Sequence, residues 1–379
     1  MLIKPKAGQP ARIKVVGIGG GGGNALSSMI AEGGITGVEF IAVNTDAQAL
    51  LNNKAPIKIQ IGENFTKGLG SGGDPEVGRE AAEESHDRLK EDLAGADMIF
   101  LTAGQGGGTG TGASPIIAEI AKETGALTVA VVTKPFDFEG SKRKFTADEG
   151  INKLRDKVDT LIVVPNQRIL QVIDKKTPIL EAFKRIDSVL HQGVKGIAEL
   201  VTTPGLINVD FADVRTVMSN AGTALMGMGV GSGEKRALAA IKQAISSPLL
   251  DISIEGARGV LFNIVGGQDL SMTEIDEAAS IIAKTVDPDA DIIFGAVIDE
   301  KMLDQIKITI IATKFDERRL KLFRFKREEP VEDIEKKDSN APSNPPASPK
   351  PSLDEDLVTD EDLLETESEF DIPAFLRKK

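Results

Sequence analysis

Two glycine-rich stretches are the places where this sequence could do chemistry. The first, Gly17-Ile-Gly-Gly-Gly-Gly-Gly23-Asn24, follows the β-branched run Ile13–Ile18 and leads straight into a helical pattern. The second, Ala103-Gly-Gln-Gly-Gly-Gly-Thr-Gly-Thr-Gly-Ala-Ser114, follows the run Met98–Thr102. Six of its nine residues from Gly104 to Gly112 are glycine, and Thr109 and Thr111 add hydroxyl donors. A third stretch, Gly68–Gly73, precedes a helix expected to begin at Pro75. Glycine admits positive φ and close backbone approach, so amides at a helix N-terminus can converge on an anion. Alone, the first stretch is ambiguous: Gly17, Gly19 and Gly22 also satisfy the dinucleotide fingerprint, with Asp46 about twenty residues on. A nicotinamide oxidoreductase therefore stands as one alternative. Three such loops suit a triphosphate better than a pyrophosphate, and no G-x-x-x-x-G-K-[ST] occurs, which excludes an ordinary P-loop.

Carboxylates come next. Asn208-Val-Asp210-Phe-Ala-Asp213 places two of them three residues apart where a loop enters a helix. Capping of that helix is one reading, and orientation of an attacking water is the other. The two histidines, His86 and His191, each fall in a helical stretch without a metal-spaced partner, so they read as surface or packing residues.

The elements that must position these groups alternate. Candidate strands at Ile13–Ile18, Val38–Val43, Met98–Thr102, Leu127–Thr133 and Thr160–Val164 are separated by helical patterns at Asn24–Ala31, Pro75–Leu93 and Pro115–Lys122. That order is the βαβ pattern of a mostly parallel sheet, whose ligands sit beyond the carboxyl ends of the strands. Over 178–202, Ile179, Phe183, Ile186, Leu190, Val194, Ile197 and Val201 recur at helical spacing, and Thr203-Pro-Gly205 ends the helix. A second unit from Phe211 to Thr313 shows strands at Val260–Val265, Ile292–Val297 and Ile306–Ala312 with helices at Lys235–Ala244 and Thr273–Lys284. Arg318–Arg327 holds six basic residues among Leu and Phe.

Composition narrows the class further. The chain has 379 residues, 41% hydrophobic, which is enough for two globular units and a tail. Without Cys there is no disulfide, zinc ribbon or thiol nucleophile, and without Trp or Tyr there is little to stack single-stranded nucleic acid. No apolar run approaches ~18 residues, so a cytoplasmic protein without direct membrane insertion is expected. The net charge of -13 is local: residues 328–371 carry sixteen Asp or Glu against three Lys, with six Pro. Such a segment reads as a disordered linker spanning ~35–40 Å. It ends in Phe370-Asp-Ile-Pro-Ala-Phe-Leu-Arg-Lys-Lys379, where Ile372, Phe375 and Leu376 form one small apolar face, as in a peptide that folds into a partner's groove.

The stretch GGGTGTGAS resembles the signature loop of the tubulin superfamily. Together with GIGGGGGNA, FIAVNTDAQAL, TKGLGSGGDPEVG, VAVVTKPFDFEGSKR, PGLINVDFADVRTVM and DIPAFLRKK, it makes the chain similar to the bacterial cell-division branch of the tubulin/FtsZ family over residues 13–313 and the last ten. The resemblance implies an α/β, tubulin-like GTPase fold: a mostly parallel Rossmann-like sheet, a long central helix, a second α+β domain and a disordered C-terminal tail. Its boundaries would be 1–12 (arm), 13–177 (GTP-binding domain), 178–202 (connecting helix), 203–317 (activation domain), 318–369 (basic extension and acidic linker) and 370–379 (partner-binding peptide).

The family's nucleotide is GTP, hydrolysed to GDP with Mg²⁺. By resemblance, Gly20, Gly21, Gly22 and Gly23 wrap the phosphates and Asn24 reaches the guanine. Gly107, Gly108, Thr109 and Gly110 hold the α- and β-phosphates, while Gly70, Ser71 and Gly72 sense the γ-phosphate. Glu139 and Arg143 match ribose and phosphate contacts, and Phe183 and Asp187 match guanine stacking and pairing. From spacing alone Phe183 also fits a core position and Asp187 a solvated one. Asn208, Asp210 and Asp213 would complete the GTPase site of the next subunit in a head-to-tail homopolymer. The filaments would form a division ring at mid-cell beneath the inner membrane, and the terminal peptide would bind a membrane-tethering adaptor such as the actin-like FtsA. A tubulin-like scaffold that binds GTP without hydrolysing it is the remaining alternative. Two departures from the family pattern stand near the loops, Gly73 and Gln105, and the first is expected to loosen the γ-phosphate loop.

Overall fold

The computed structural model describes residues 11–316 apart from 172, 175, 204, 248, 249, 251 and 252. Residues 1–10 of the arm, the basic stretch from 318, the acidic linker and the terminal peptide lie outside the described residues.

The first half runs β1 (Ile13–Ile18), α1 (Gly19–Ala31), β2 (Val38–Asn44), α2 (Ala47–Leu51), β3 (Ile57–Gln60), α3 (Glu63–Thr66), α4 (Pro75–Glu84), α5 (His86–Leu93), β4 (Met98–Gly104), α6 (Thr109–Glu123), β5 (Leu127–Lys134), α7 (Ser141–Arg155), β6 (Thr160–Pro165) and α8 (Asn166–Ile169). The second runs α9 (Ile179–Thr202), α10 (Phe211–Met218), β7 (Gly222–Ser232), α11 (Arg236–Ile245), β8 (Gly259–Gly266), α12 (Met272–Thr285), β9 (Asp291–Ile298) and β10 (Gln305–Thr313). The strands order as β3-β2-β1-β4-β5-β6-β7-β10-β8-β9. Strands β1 to β6 are parallel, β10 is antiparallel to both β7 and β8, and β8 and β9 are parallel. Among the described residues no helix is long and apolar enough to cross a membrane.

The α/β architecture matches the sequence reading, with the long helix at Ile179–Thr202. Among the differences, three bear on the packing around the site. The single helix expected over Pro75–Leu93 is two, broken at Ser85, whose hydroxyl accepts from the Gly62 amide at 3.1 Å. The α9 stripe buries Ile186, Leu190, Val194 and Ile197 but leaves Ile179 and Phe183 64% and 41% exposed.

The third is strand β7, absent from the sequence reading, which pairs with β6 over Thr160–Ile162 and joins both halves in one sheet. Its sequence, GTALMGMGVGS, hides the strand because glycine weakens the usual pattern. The reason for those glycines is packing. A Cβ on Gly227, Gly229 or Gly231 would collide with the backbone of α11 at Ala244, Ala240 and Arg236 respectively. These alternate residues of the strand, which share one face, must therefore lack a side chain for the helix to lie directly on it.

Candidate functional site

Strand order decides where the glycine loops meet. Because β1 pairs with β4, with Ile18 opposite Ala103, their carboxyl ends are neighbours although 85 residues separate them. This is the point where the strand order reverses, the ligand crevice of doubly wound sheets. A cleft of about 610 Å³ opens there. Gly20, Gly21 and Asn24 line it from the first loop, Leu69–Gly73 from the third, and Gly104, Gln105 and Gly107–Gly110 from the second. Glu139, Arg143, Phe183 and Asp187 complete the wall on the side of α7 and α9.

The loops touch through backbone. A Cβ on Gly19 would stand 2.9 Å from the Gly110 nitrogen, and one on Gly21 3.2 Å from Gly104. Gly20 and Gly107 by contrast have open space where a Cβ would go. Helices α1 and α6 both start at these loops without a side-chain cap. Their first-turn amides and positive dipole ends are left for an anion to satisfy.

Not every glycine expected around the phosphates faces the cleft. Gly22 and Gly23 are buried behind it: a Cβ on Gly22 would collide with the Thr102 carbonyl, and one on Gly23 would stand 3.1 Å from Asn53 Nδ2. Gly22 is thus the position that lets α1 lie against β4. Gly22→Ala is expected to destabilise the fold by about 1–3 kcal/mol, read as a lower urea midpoint. An unchanged midpoint would show that α1 can back away from β4.

The third loop is strapped to the end of β2: Asp46 bridges Leu69, and the Ala47 amide donates to the Gly68 carbonyl at 3.1 Å. Gly68, Gly70, Gly72 and Gly73 all have positive φ. At Gly73, φ is +82°, a conformation that strains any residue with a Cβ, so glycine relaxes this turn rather than loosening it. Ser71 packs on Gly108, where a Cβ would meet its hydroxyl. Gln105 is buried, its amide 3.4 Å from the Gly110 carbonyl and from Ser114 Oγ.

The opposite end of the cleft is aromatic and acidic. Phe183 stands edge-on to Phe136 at 5.6 Å, which fixes its ring while leaving it partly exposed. Asp187, one turn along α9, accepts from Ser28 Oγ at 3.2 Å. Burial pushes its carboxyl up to about 6, the Ser28 bond opposes this, and the charge of Glu32 adds to it. His191 packs one turn further on, buried, with Nδ1 2.6 Å from Glu32. Glu139 and Arg143 form an ion pair at the rim.

Asn208, Asp210 and Asp213 do not line the cleft. Asn208 Oδ1 accepts from the Gly205 amide at 2.6 Å. Asp210 sits at the N-cap of α10 but makes no side-chain capping bond, and Asp213 lies in its first turn. Both carboxylates are exposed and have no ionic or hydrogen-bonding side-chain partner among the described residues.

Sequence reasoning missed Thr45 and Asn166, which line the cleft from the ends of β2 and β6. Both are buried, and Asn166 Oδ1 has no hydrogen-bond partner. Their position just past strand carboxyl ends was the available signal.

Residues 12–174 match the model of the Tubulin/FtsZ family GTPase domain, and 222–316 that of the FtsZ family C-terminal domain. The structure of an FtsZ dimer from M. jannaschii is 46% identical, with a TM-score of 0.77 over 81% of this chain and 89% of that one. The chain belongs to the tubulin/FtsZ family. A mutant FtsZ from M. jannaschii aligns similarly, at 47% identity and TM-score 0.78 over 82% of this chain and 92% of that one. A protofilament of CetZ2 from Haloferax volcanii with bound GTPγS shares the fold at 20% identity, TM-score 0.69, over 84% and 98% of the two chains. As a tubulin/FtsZ-family GTPase, this chain has GTP as its substrate, and its cleft has the phosphate-sized amide cradle that substrate requires.

Proposed function

We propose that this GTPase assembles head-to-tail into filaments and hydrolyses GTP only where one subunit's Asp210 and Asp213 reach the next subunit's cleft. The observation that carries the reading is a separation. The cleft's carboxylates are already engaged: Asp46 accepts from the Ala49 amide at 3.0 Å, Glu139 pairs with Arg143, and Asp187 stands at the aromatic end. Asp210 and Asp213 lie exposed outside it, without a side-chain partner among the described residues.

In this reading the α1 and α6 loops hold the phosphates, with Gly70, Ser71 and Gly72 at the terminal one. Asn24, Phe183 and Asp187 take the guanine, Phe183 by stacking and Asp187 by accepting from its ring N–H and amino group. Asn166, whose buried Oδ1 lacks a donor, fits a further nucleobase contact. Glu139 and Arg143 flank the ribose and phosphates. Among the described residues no three His, Asp or Glu side chains cluster to hold a metal, so Mg²⁺ would depend on the nucleotide's own oxygens.

Leu69 and Phe138, 85% and 65% exposed beside the cleft, supply an apolar rim that a second subunit could cover. A contact between unlike faces does not close, so it propagates as a filament. Cell division at a cytoplasmic ring, filament turnover by hydrolysis, and tethering of 370–379 to a membrane-bound adaptor such as FtsA complete the proposal.

The test is GTP hydrolysis per subunit against protein concentration, with light scattering on the same samples. A shared threshold for both supports a site built between subunits. Hydrolysis strictly proportional to concentration, with no threshold, overturns it. Leu69→Asp should lose scattering and hydrolysis together even at GTP concentrations that saturate its cleft, since a buried unpaired charge at the contact costs several kcal/mol, on the order of a hundredfold or more in association.

A further inference from the structure

Thr45 connects two of the glycine loops. It follows the last residue of β2 and is fully buried. Its Oγ1 stands 2.7 Å from Thr109 Oγ1, which in turn stands 3.0 Å from Ser71 Oγ. Its carbonyl accepts from the Gly70 amide at 3.3 Å. One residue thereby holds the start of α6 through its side chain and the Gly68–Gly73 loop through its backbone.

Burial sets the order of the protons. A buried hydroxyl proton needs an acceptor. Among the described residues, Thr109 Oγ1 is the acceptor within reach of the Thr45 hydroxyl, so Thr45 donates and Thr109 accepts. Thr109 then keeps its own proton to give, either to Ser71 or to an anion in the cleft, and Ser71 keeps another. The reverse order would spend the Thr109 proton on Thr45 and leave a buried proton on Thr45 unpaired.

We propose that Thr45 is a positioning residue for the GTPase reaction: by donating to Thr109 it leaves the Thr109 proton for Ser71, which orients the Ser71 hydroxyl as a donor to the terminal phosphate, and so sets the preference for GTP over GDP. Hydroxyls oriented in advance need no reorganisation when the ligand arrives, which is where such groups gain their effect. The inference rests on the reading that these two loops hold the phosphates.

Thr45→Val keeps the shape and removes the proton, whereas Thr45→Ser keeps the proton. The full-length protein is titrated calorimetrically with GDP and with β,γ-methylene GTP, below the concentration at which scattering appears, with circular-dichroism melting alongside. The valine variant is expected to lose about tenfold in affinity for the analogue. It should hold GDP within about twofold of the parent and melt with it, and Thr45→Ser should restore analogue binding. Equal loss for both nucleotides, or loss for neither, overturns the proposal. If the valine variant does not fold, Thr45→Ala replaces it under the same expectation. A parent that binds GDP and the analogue equally, unchanged by Thr109→Val, overturns the phosphate reading and this inference with it. A parent that prefers the analogue beside an indifferent Thr45→Val overturns the role of Thr45 alone.

Discussion

Asp210→Ala is expected to bind GTP as tightly as the parent and still form filaments, yet to hydrolyse it about 100–1000-fold more slowly. Phosphoryl transfer needs little covalent help from a protein; it needs a positioned water and stabilised charge. A carboxylate exposed outside its own cleft and free of protein partners can serve that water only from a neighbouring subunit. Mixing supplies the decisive control. A subunit with Asp210→Ala has an intact cleft, and one with Asp187→Asn has an intact Asp210. Where the second covers the cleft of the first, a working site is rebuilt. The mixture should therefore exceed the summed activities of its parts. If it equals their sum, or if Asp210→Ala loses GTP affinity in step with rate, the carboxylate acts within its own subunit and the shared site is wrong.

Asp187→Asn should cost GTP at least about a hundredfold in affinity and raise stability at the same time. Guanine presents two adjacent donors, its ring N–H and its amino group, and an ionised carboxylate accepts both. An asparagine offers one acceptor and one donor, which fits xanthine instead, so xanthosine triphosphate should bind the variant better than it binds the parent. The pH dependence follows from the carboxyl's position at about 6, above its ordinary 3.8, caused first by burial. Binding requires the ionised form, so GTP affinity should weaken as pH falls through about 6, and the asparagine variant should lack this dependence. For stability of the free protein the sign is opposite. A carboxyl raised in the folded state costs stability as pH rises from its unfolded value through about 6, so near neutral pH the free parent carries the whole cost. Removing it should stabilise the free variant at pH 7 by roughly 1–3 kcal/mol, a range that allows for partial solvent screening. A variant that is less stable than the parent, or that keeps its GTP affinity, would remove Asp187 from the base-reading role.

Much of the cleft was legible because phosphate recognition is written locally. A run such as Gly104–Gly112 can only be a backbone cradle or a turn, and its place after an apolar strand shows which end of the sheet it occupies. The aliphatic strands β1, β2, β4, β5 and β6 were legible for a similar reason. Central parallel strands are buried on both faces and read as mostly apolar runs rather than alternating ones. Strand β7 was not, because α11 lies so close that alternate residues must be glycine, and glycine removes the side chains that periodicity is read from.

The residues of α9 mark the boundary most clearly. Spacing placed Ile179, Phe183, Ile186 and Leu190 on one stripe, and on spacing they are equivalent. Only the packed structure separates them: Phe183 stands partly exposed in the cleft wall beside Phe136, while Ile186 and Leu190 are buried. Thr45 and Asn166 were likewise invisible, since a lone Thr or Asn at a strand end has no pattern to betray it. The sequence by itself determined the helices α1, α6, α9, α11 and α12, most strands and the three glycine loops, because each depends on neighbours within a few residues. The tertiary structure alone decided that β1 lies beside β4, that Gly22 faces a strand rather than the cleft, and that Thr45 joins Thr109 to Ser71. Those depend on strand order and on contacts between segments dozens of residues apart, which no local spacing records.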